Sequence, residues 1–301
     1  MIDAQCIDTP IQRRTVISTD GTPIAVYIAG NGSRDLVLAP GLGANILCWK
    51  YILEGFKDVY RMVTWDPRGT YDSGSPRDER DLDMPHHVHD LESIVAALNL
   101  ENFVLAGWSM GVQISLEYTI RHPDRVLALA LINGHYGNLL GDVLDLTWAR
   151  PLFRSLVGAL RMVSPAVKSV APPVLRSTLM TPLLAYAGVL REPVALFPAI
   201  LERFSHLDFH RYIGMIALLD QHSTGPSLSR IRVPTIITAG TKDFLTPPSV
   251  GFRMQKAIRG AELVLLEGGT HYAMMELPGE LHAVMESFFR RVDPKAFAAA
   301  R

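Results

Sequence analysis

The chain has two cysteines, Cys6 and Cys48, in 301 residues. Two thiols so placed give neither a disulfide framework nor a metal-binding spacing, and the setting this suggests is reduced and cytoplasmic. Charge of either sign is not in excess: 29 Lys and Arg stand against 30 Asp and Glu. That balance offers nothing to hold a nucleic-acid backbone or an anionic membrane. No apolar run approaches the length of a transmembrane segment, and Met1–Cys6 has neither the basic nor the apolar region of a signal peptide. Internal repeats and low-complexity tracts are lacking as well.

What is present is material for a core. Hydrophobic residues make up 48% of the chain and charged residues 20%. The length suits one large α/β domain with an insertion, or two domains. Strands are expected at Thr15–Ser18 and Ile24–Ala29, with Asp20-Gly21 turning a hairpin. Short apolar runs then alternate with helical patterns. Leu36–Ala39 precedes a helix near 46–56, Arg61–Trp65 a helix near 86–98, and Phe103–Ala106 a helix after Ser109. Val126–Ile132 forms a sixth strand, Thr235–Ala239 and Glu262–Leu266 resume the series, and a last helix is expected over 279–291. Continuous Val/Ile/Leu strands interleaved with helices imply a mostly parallel, twisted sheet with helices on both faces.

Residues 136–228 interrupt that rhythm. They give no clear strand signal but carry many apolar residues and repeated prolines: Pro151, Pro165, Pro172, Pro173, Pro182, Pro193 and Pro198. Prolines at that spacing predict short helices rather than one long one. The expectation is a helical cap over 136–228, inserted into an α/β core of residues 1–135 and 229–301. Its alternative is a helical subdomain with no contact with the chemistry. The tail Ala296–Arg301 is expected to fray.

Gly107-Trp108-Ser109-Met110-Gly111 falls between the apolar run Phe103–Ala106 and the helix-compatible stretch Val112–Tyr118. A serine there sits on a strained strand-to-helix turn that lifts its hydroxyl clear of the sheet. Small residues are needed two positions either side, where strand and helix pass too closely for a β-carbon. Taken alone, the pattern also fits a turn with an exposed serine. A serine hydroxyl is a poor nucleophile without a base, and the base needs an orienting acid. Asp243 lies in Gly240–Pro248, just beyond the strand 235–239, and His271 lies on the glycine-rich loop Glu267–Tyr272 after the next strand. All three would share the carboxyl edge of a parallel sheet. Asp220 and Glu267 are rivals for the acid, whereas Asn133-Gly134-His135, after the sixth strand, offers no carboxylate.

Five elements in this order, Pro40-Gly41-Leu42-Gly43, Asp66-Pro67-Arg68-Gly69, Gly107–Gly111, Gly240–Asp243 with Pro247, and Gly269–His271, resemble the α/β-hydrolase superfamily. The resemblance covers about 15–135 and 229–292 and lies with its cap-bearing serine esterase, lipase and lactonase branch. It implies Ser109 as nucleophile, His271 as general base and then acid, and Asp243 as orienting acid. It implies an oxyanion hole formed by the backbone N–H groups of Leu42 and Met110. Such families usually carry His-Gly where this chain has Pro40-Gly41; a backbone donor at Leu42 does not need that histidine. The stretched Thr70–Gly74 segment is read as structural.

Other residues have a bland reading beside a sharp one. His86 and Asp90 stand four apart and could share a helix face as metal ligands, but a polar helix start explains them equally well. Trp65–Gly69 could bind ligand, or Asp66 and Arg68 could brace the turn. Apolar residues of the insertion, such as Phe153, Leu156 and Tyr186, pack the cap and could also line a pocket for apolar groups. The function implied is hydrolysis of a carboxylic ester or lactone, a small-molecule substrate, through an acyl-serine intermediate, with no cofactor and no metal. A C–C bond hydrolase or acyltransferase could use the same triad, and a carboxylate-bearing substrate would call for a basic residue from among Arg150, Arg154, Arg161 and Arg191. A ligand-binding protein with little turnover is a further alternative. Epoxide hydrolases and dehalogenases carry an aspartate where this chain has Ser109. No nucleic acid and no transmembrane segment enter this reading, and a homodimer is compatible with it.

Overall fold

The computed structural model describes residues 7–138, 140, 147–167, 171–192 and 194–299. Strands β1 (Ile11–Ile17) and β2 (Pro23–Ala29) form the expected hairpin, paired from Ile11↔Ala29 to Ile17↔Pro23. β1 begins four residues before its apolar signal because Gln12, Arg13 and Arg14 lie exposed on this edge strand. The sheet continues with β3 (Arg34–Ala39), β4 (Tyr60–Trp65), β5 (Phe103–Trp108), β6 (Val126–Ile132), β7 (Thr235–Gly240) and β8 (Glu262–Leu266). Their spatial order is β1-β2-β4-β3-β5-β6-β7-β8, antiparallel as far as β4 and parallel beyond it. From β3 the chain steps to one side for β4 and returns to the other side for β5. The carboxyl ends of β3 and β5 thus border a topological switch point, where open α/β sheets leave a crevice.

Helices α1 (Lys50–Phe56), α2 (Met84–Ala97) and α3 (Met110–Arg121) connect the early strands. Between β6 and β7 come α4 (Arg150–Val167), α5 (Ala171–Leu175), α6 (Met180–Tyr186), α7 (Phe197–Phe204) and α8 (Phe209–Leu219). α9 (Pro248–Ala257) joins β7 to β8, and α10 (Ala273–Glu276), α11 (Pro278–Val292) and α12 (Pro294–Ala299) follow. Successive strand side chains point to opposite faces. Leu36, Leu38, Val104 and Ala106 enter one core, while Val37, Ala39, Phe103 and Leu105 enter the other. Both faces are apolar, so both must be covered: Phe56 and Phe289 from α1 and α11 cover the first, Leu91, Leu116 and Met254 from α2, α3 and α9 the second.

Two expectations need correction. The prolines of the insertion do not cut it into short helices throughout, since α4 runs for 18 residues. Pro151, Pro172, Pro173, Pro182 and Pro198 instead stand in first turns, where the missing N–H has no intrahelical partner to lose. Pro165 falls near the end of α4, and Pro193 lies outside the described residues. The tail does not fray up to residue 299: α12 buries Ala296 and Phe297, and the Phe297 ring meets Tyr60 edge-on with centroids 6.1 Å apart. Residues 300 and 301 lie outside the described residues. Among the described residues, no helix is long and apolar enough to cross a membrane.

Candidate active site

Ser109 joins β5 to α3 with φ 57° and ψ −117°. A side-chained residue held there stores about 1–3 kcal/mol of strain and persists only if its surroundings impose it. They do so through the backbone: Ser109 N–H donates to Ile132 O at 3.1 Å, and Val112 N–H donates to Ser109 O at 3.0 Å. The two flanking glycines are steric necessities. A β-carbon on Gly107 would lie 2.3 Å from Gly111 O, and one on Gly111 would lie 1.9 Å from Ala39 O.

The loops after β7 and β8 bring the other two residues to this turn. His271 Nε2 is 2.9 Å from Ser109 Oγ, and His271 Nδ1 is 2.9 Å from Asp243 Oδ2. An ionised carboxylate only accepts, so Nδ1 carries the proton and Nε2 is left to accept from the serine O–H. Asp243 is buried and richly hydrogen-bonded. Its Oδ1 accepts from the N–H groups of Leu245 (2.9 Å) and Thr246 (2.8 Å). Its Oδ2 also accepts from Thr246 Oγ1 (2.6 Å) and Asn133 Nδ2 (3.0 Å). Burial alone would raise this carboxyl, but the facing His271 and the Thr246 donors outweigh it and hold Asp243 below its ordinary value. The histidine loop is braced in turn. Glu276 accepts from Thr270 N–H (2.9 Å) and Thr270 Oγ1 (2.8 Å), and Trp108 Nε1 donates to His271 O at 3.1 Å.

The rival acids are engaged elsewhere. Asp220 accepts from Arg154 Nε at 2.7 Å, Arg150 Nη2 at 3.2 Å and Leu140 N–H at 2.9 Å. Glu267 is exposed and accepts from Thr241 Oγ1 at 3.3 Å. The His86–Asp90 pair is not brought together as ligands, because Asp90 grips the buried Arg68 through Nε (2.8 Å) and Nη2 (2.5 Å). Asp83 caps α2 by accepting from His86 N–H, the bland helix-start reading. Asp20, Asp81 and His86 do offer three ligand atoms within 4.8 Å of one another. Asp20, however, is bound to Arg68 Nη1 at 2.8 Å, which would set a guanidinium against any cation there.

Asp66 and Arg68 brace rather than bind. Asp66 accepts from Tyr27 O–H at 2.7 Å and Asp72 N–H at 3.1 Å, and burial pushes its carboxyl up to about 6. Tyr71, left-handed at φ 44°, donates its hydroxyl to Gly43 O, beside Leu42. The stretched Thr70–Gly74 segment therefore buttresses the Pro40–Gly43 loop.

A cavity of about 250 Å³ opens at the serine. Leu42, Trp108, Leu245, Thr246 and Tyr272 line it from one side of the chain, and Leu140, Val157, Tyr212 and Ile216 come from the stretch between β6 and β7. Burial pushes the Tyr212 phenol up to about 12 and raises that of Tyr272, so both lining tyrosines stay neutral. None of Arg150, Arg154, Arg161 and Arg191 lines the cavity. Sequence reasoning missed Asn133, Thr246 and Glu276 as supports of the site. For Asn133 a signal was available, since it is the first residue past the sixth strand.

A protein named "Putative carbamate hydrolase RutD" from Rhizobium rhizogenes is 27% identical over 273 residues, covering 86% of this chain and 93% of that one. An esterase from Exiguobacterium antarcticum superposes with a TM-score of 0.76 at 22% identity, over 93% of this chain and 100% of the other. The enol-lactonase from Burkholderia xenovorans LB400 gives 0.72 at 20% identity, over 92% and 99%. At such identities the structures show a common fold. The family model for the alpha/beta hydrolase fold matches residues 36–278, and this chain belongs to that family.

Proposed function

We propose that the protein is a serine hydrolase that cleaves a carboxylic ester or lactone of a small-to-medium, largely apolar substrate through an acyl-serine intermediate. The observation that carries this reading is the unbroken line from Asp243 through His271 to Ser109, each link 2.9 Å long. In the first half-reaction Ser109 Oγ attacks the carbonyl carbon as its proton passes to His271 Nε2. The N–H groups of Leu42 and Met110 take the developing oxyanion. Met110 opens α3, where the first N–H groups have no intrahelical acceptor and the helix dipole favours negative charge. As the intermediate collapses, His271 hands the proton to the departing alkoxide. Water then attacks the acyl-serine, gives its proton to His271, and releases the acid while Ser109 regains its hydrogen.

The stretch 136–228 serves as the cap of the 1–135 and 229–301 core, and its Leu140, Val157, Tyr212 and Ile216 at the cavity support that role. A lining so largely apolar suits an uncharged acyl or alkyl group. It weakens the C–C hydrolase alternative, whose carboxylate would want a cation. Arg150 and Arg154 are spent on Asp220, and Arg161 bonds Glu79 at 2.8 Å. A second reading is carbamate cleavage, favoured by the printed name of the RutD relative; a carbamate carbonyl presents the same electrophile to Ser109. The test is turnover of p-nitrophenyl esters from acetate to laurate, beside Ser109→Ala and an aryl carbamate. Ester turnover lost in Ser109→Ala supports the first reading. Carbamate turnover with inert esters would replace it by the second.

A further inference from the structure

Asn133 follows directly on β6. Its N–H donates to Thr238 O on β7 at 2.9 Å, and the preceding carbonyl, of Ile132, receives Ser109 N–H. These contacts seat it on the carboxyl edge of the sheet, beside the triad. Its φ of 40° is left-handed, a region asparagine enters more readily than most residues. The side chain is 1% exposed. One amide hydrogen goes to Asp243 Oδ2 and the other to Thr270 O, each at 3.0 Å.

We propose that Asn133 is a positioning residue, whose amide clamps the Asp243 carboxylate to the backbone carbonyl preceding His271 and so holds Oδ2 in line with the imidazole. The inference rests on the triad reading above. Asp243 and His271 sit on loops after different strands. Thr246 reaches Oδ2 from Asp243's own loop, whereas Asn133 reaches it from β6 and ties it to the histidine loop. The amide cannot be reversed, because Oδ1 would then face a carboxylate oxygen and a carbonyl, two acceptors. In the observed orientation Oδ1 is buried without a partner, a cost that packing alone gives no reason to bear. An aspartate at this place would set a second negative charge within hydrogen-bond distance of Asp243 and could not donate when ionised. The other titratable groups around the pair are Glu276, bonded to Thr270, the Tyr212 and Tyr272 phenols, held neutral by burial, and His135. Burial, with Arg253 acting in the same direction, lowers His135 to about 4 and leaves it neutral above that pH.

Two variants separate positioning from packing. Asn133→Gly removes the amide and accepts the left-handed backbone without strain. It is expected to lower kcat about tenfold with KM within about twofold. The downfield His271 Nδ1–H resonance that the Asp243 bond predicts for the resting wild-type protein, to be recorded by NMR, should broaden or vanish. Asn133→Asp keeps the size and is expected to be impaired most at pH 8, recovering toward wild type as the pH falls, because the carboxylate pair takes up a proton and the new side chain can donate again. Should Asn133→Gly fail to fold, this pH dependence decides alone. The proposal is overturned if the folded variants keep kcat within twofold at every pH and retain the resonance, with only thermal stability reduced. Absent Ser109-dependent turnover in the wild type, the esterase reading fails, while the resonance still reports on Asn133.

Discussion

The carboxyl edge of the sheet and the helices between β6 and β7 are built to different standards. At the edge, Ser109 is locked between two glycines that admit no β-carbon, and Asp243 receives hydrogen bonds at both oxygens. The insertion is looser in kind. α4 packs on α8 and lends Val157 to the cavity, yet Trp148 is 75% exposed, Met162 79% and Tyr186 93%. Reacting atoms must be held to a fraction of an ångström, whereas an apolar wall needs only shape and volume. On the proposed reading, the edge performs the chemistry and the insertion selects what reaches it.

This contrast can be broken or sharpened by substitution. The largest effect is expected from Asp243→Asn, which leaves the size unchanged but removes the acceptor that fixes the Nδ1–H tautomer. kcat should fall by about 10³–10⁴-fold with KM within about threefold, measured by steady-state kinetics. Next comes Gly111→Ala, whose β-carbon would meet the backbone at 1.9 Å. A loss of about 3 kcal/mol in urea unfolding is expected, against a gain of about 0.5–1 kcal/mol for Gly158→Ala inside α4, whose β-carbon would meet nothing within 4 Å. Val157→Phe should act on substrate choice alone, lowering kcat/KM for long-chain esters about tenfold and leaving the acetate within about twofold.

The smallest effect is one of pH. The folded-state value of Asp66 is raised from 3.8 to about 6, so the native state binds this proton more tightly than the unfolded chain does. Stability from this group is therefore gained as the pH falls through 6 and is absent well above it. Wild type should gain about 1 kcal/mol more than Asp66→Asn between pH 8 and pH 5, read from urea midpoints at the two pH values. A smaller gain in wild type than in the variant would contradict the burial account.

The same contrast explains what could be read from the amino acids. Strand runs such as Phe103–Ala106 are apolar on both faces, and the Gly107–Gly111 turn needs glycines for local steric reasons, so both announce themselves in sequence. Asp243 and His271 were legible because each follows a recognisable strand. Thr246 and Glu276 were not, since their bonds to Asp243 and Thr270, three and six residues away, depend on how each loop folds back on itself, and Asn133 showed only its place after a strand, its partner Thr270 lying 137 residues away. The insertion misled through its prolines, which mark helix starts rather than breaks, and the tail through Phe297, whose burial depends on the distant Tyr60 ring.

The most direct test of the central claim is intact-mass and peptide analysis after exposure to a fluorophosphonate, which reacts with a serine only when a base activates it. The account predicts one adduct per chain, located on Ser109, absent in Ser109→Ala and formed at least about 10³-fold more slowly in His271→Ala. Folded wild-type protein that stays unlabelled, or that carries the adduct on another residue, would contradict it.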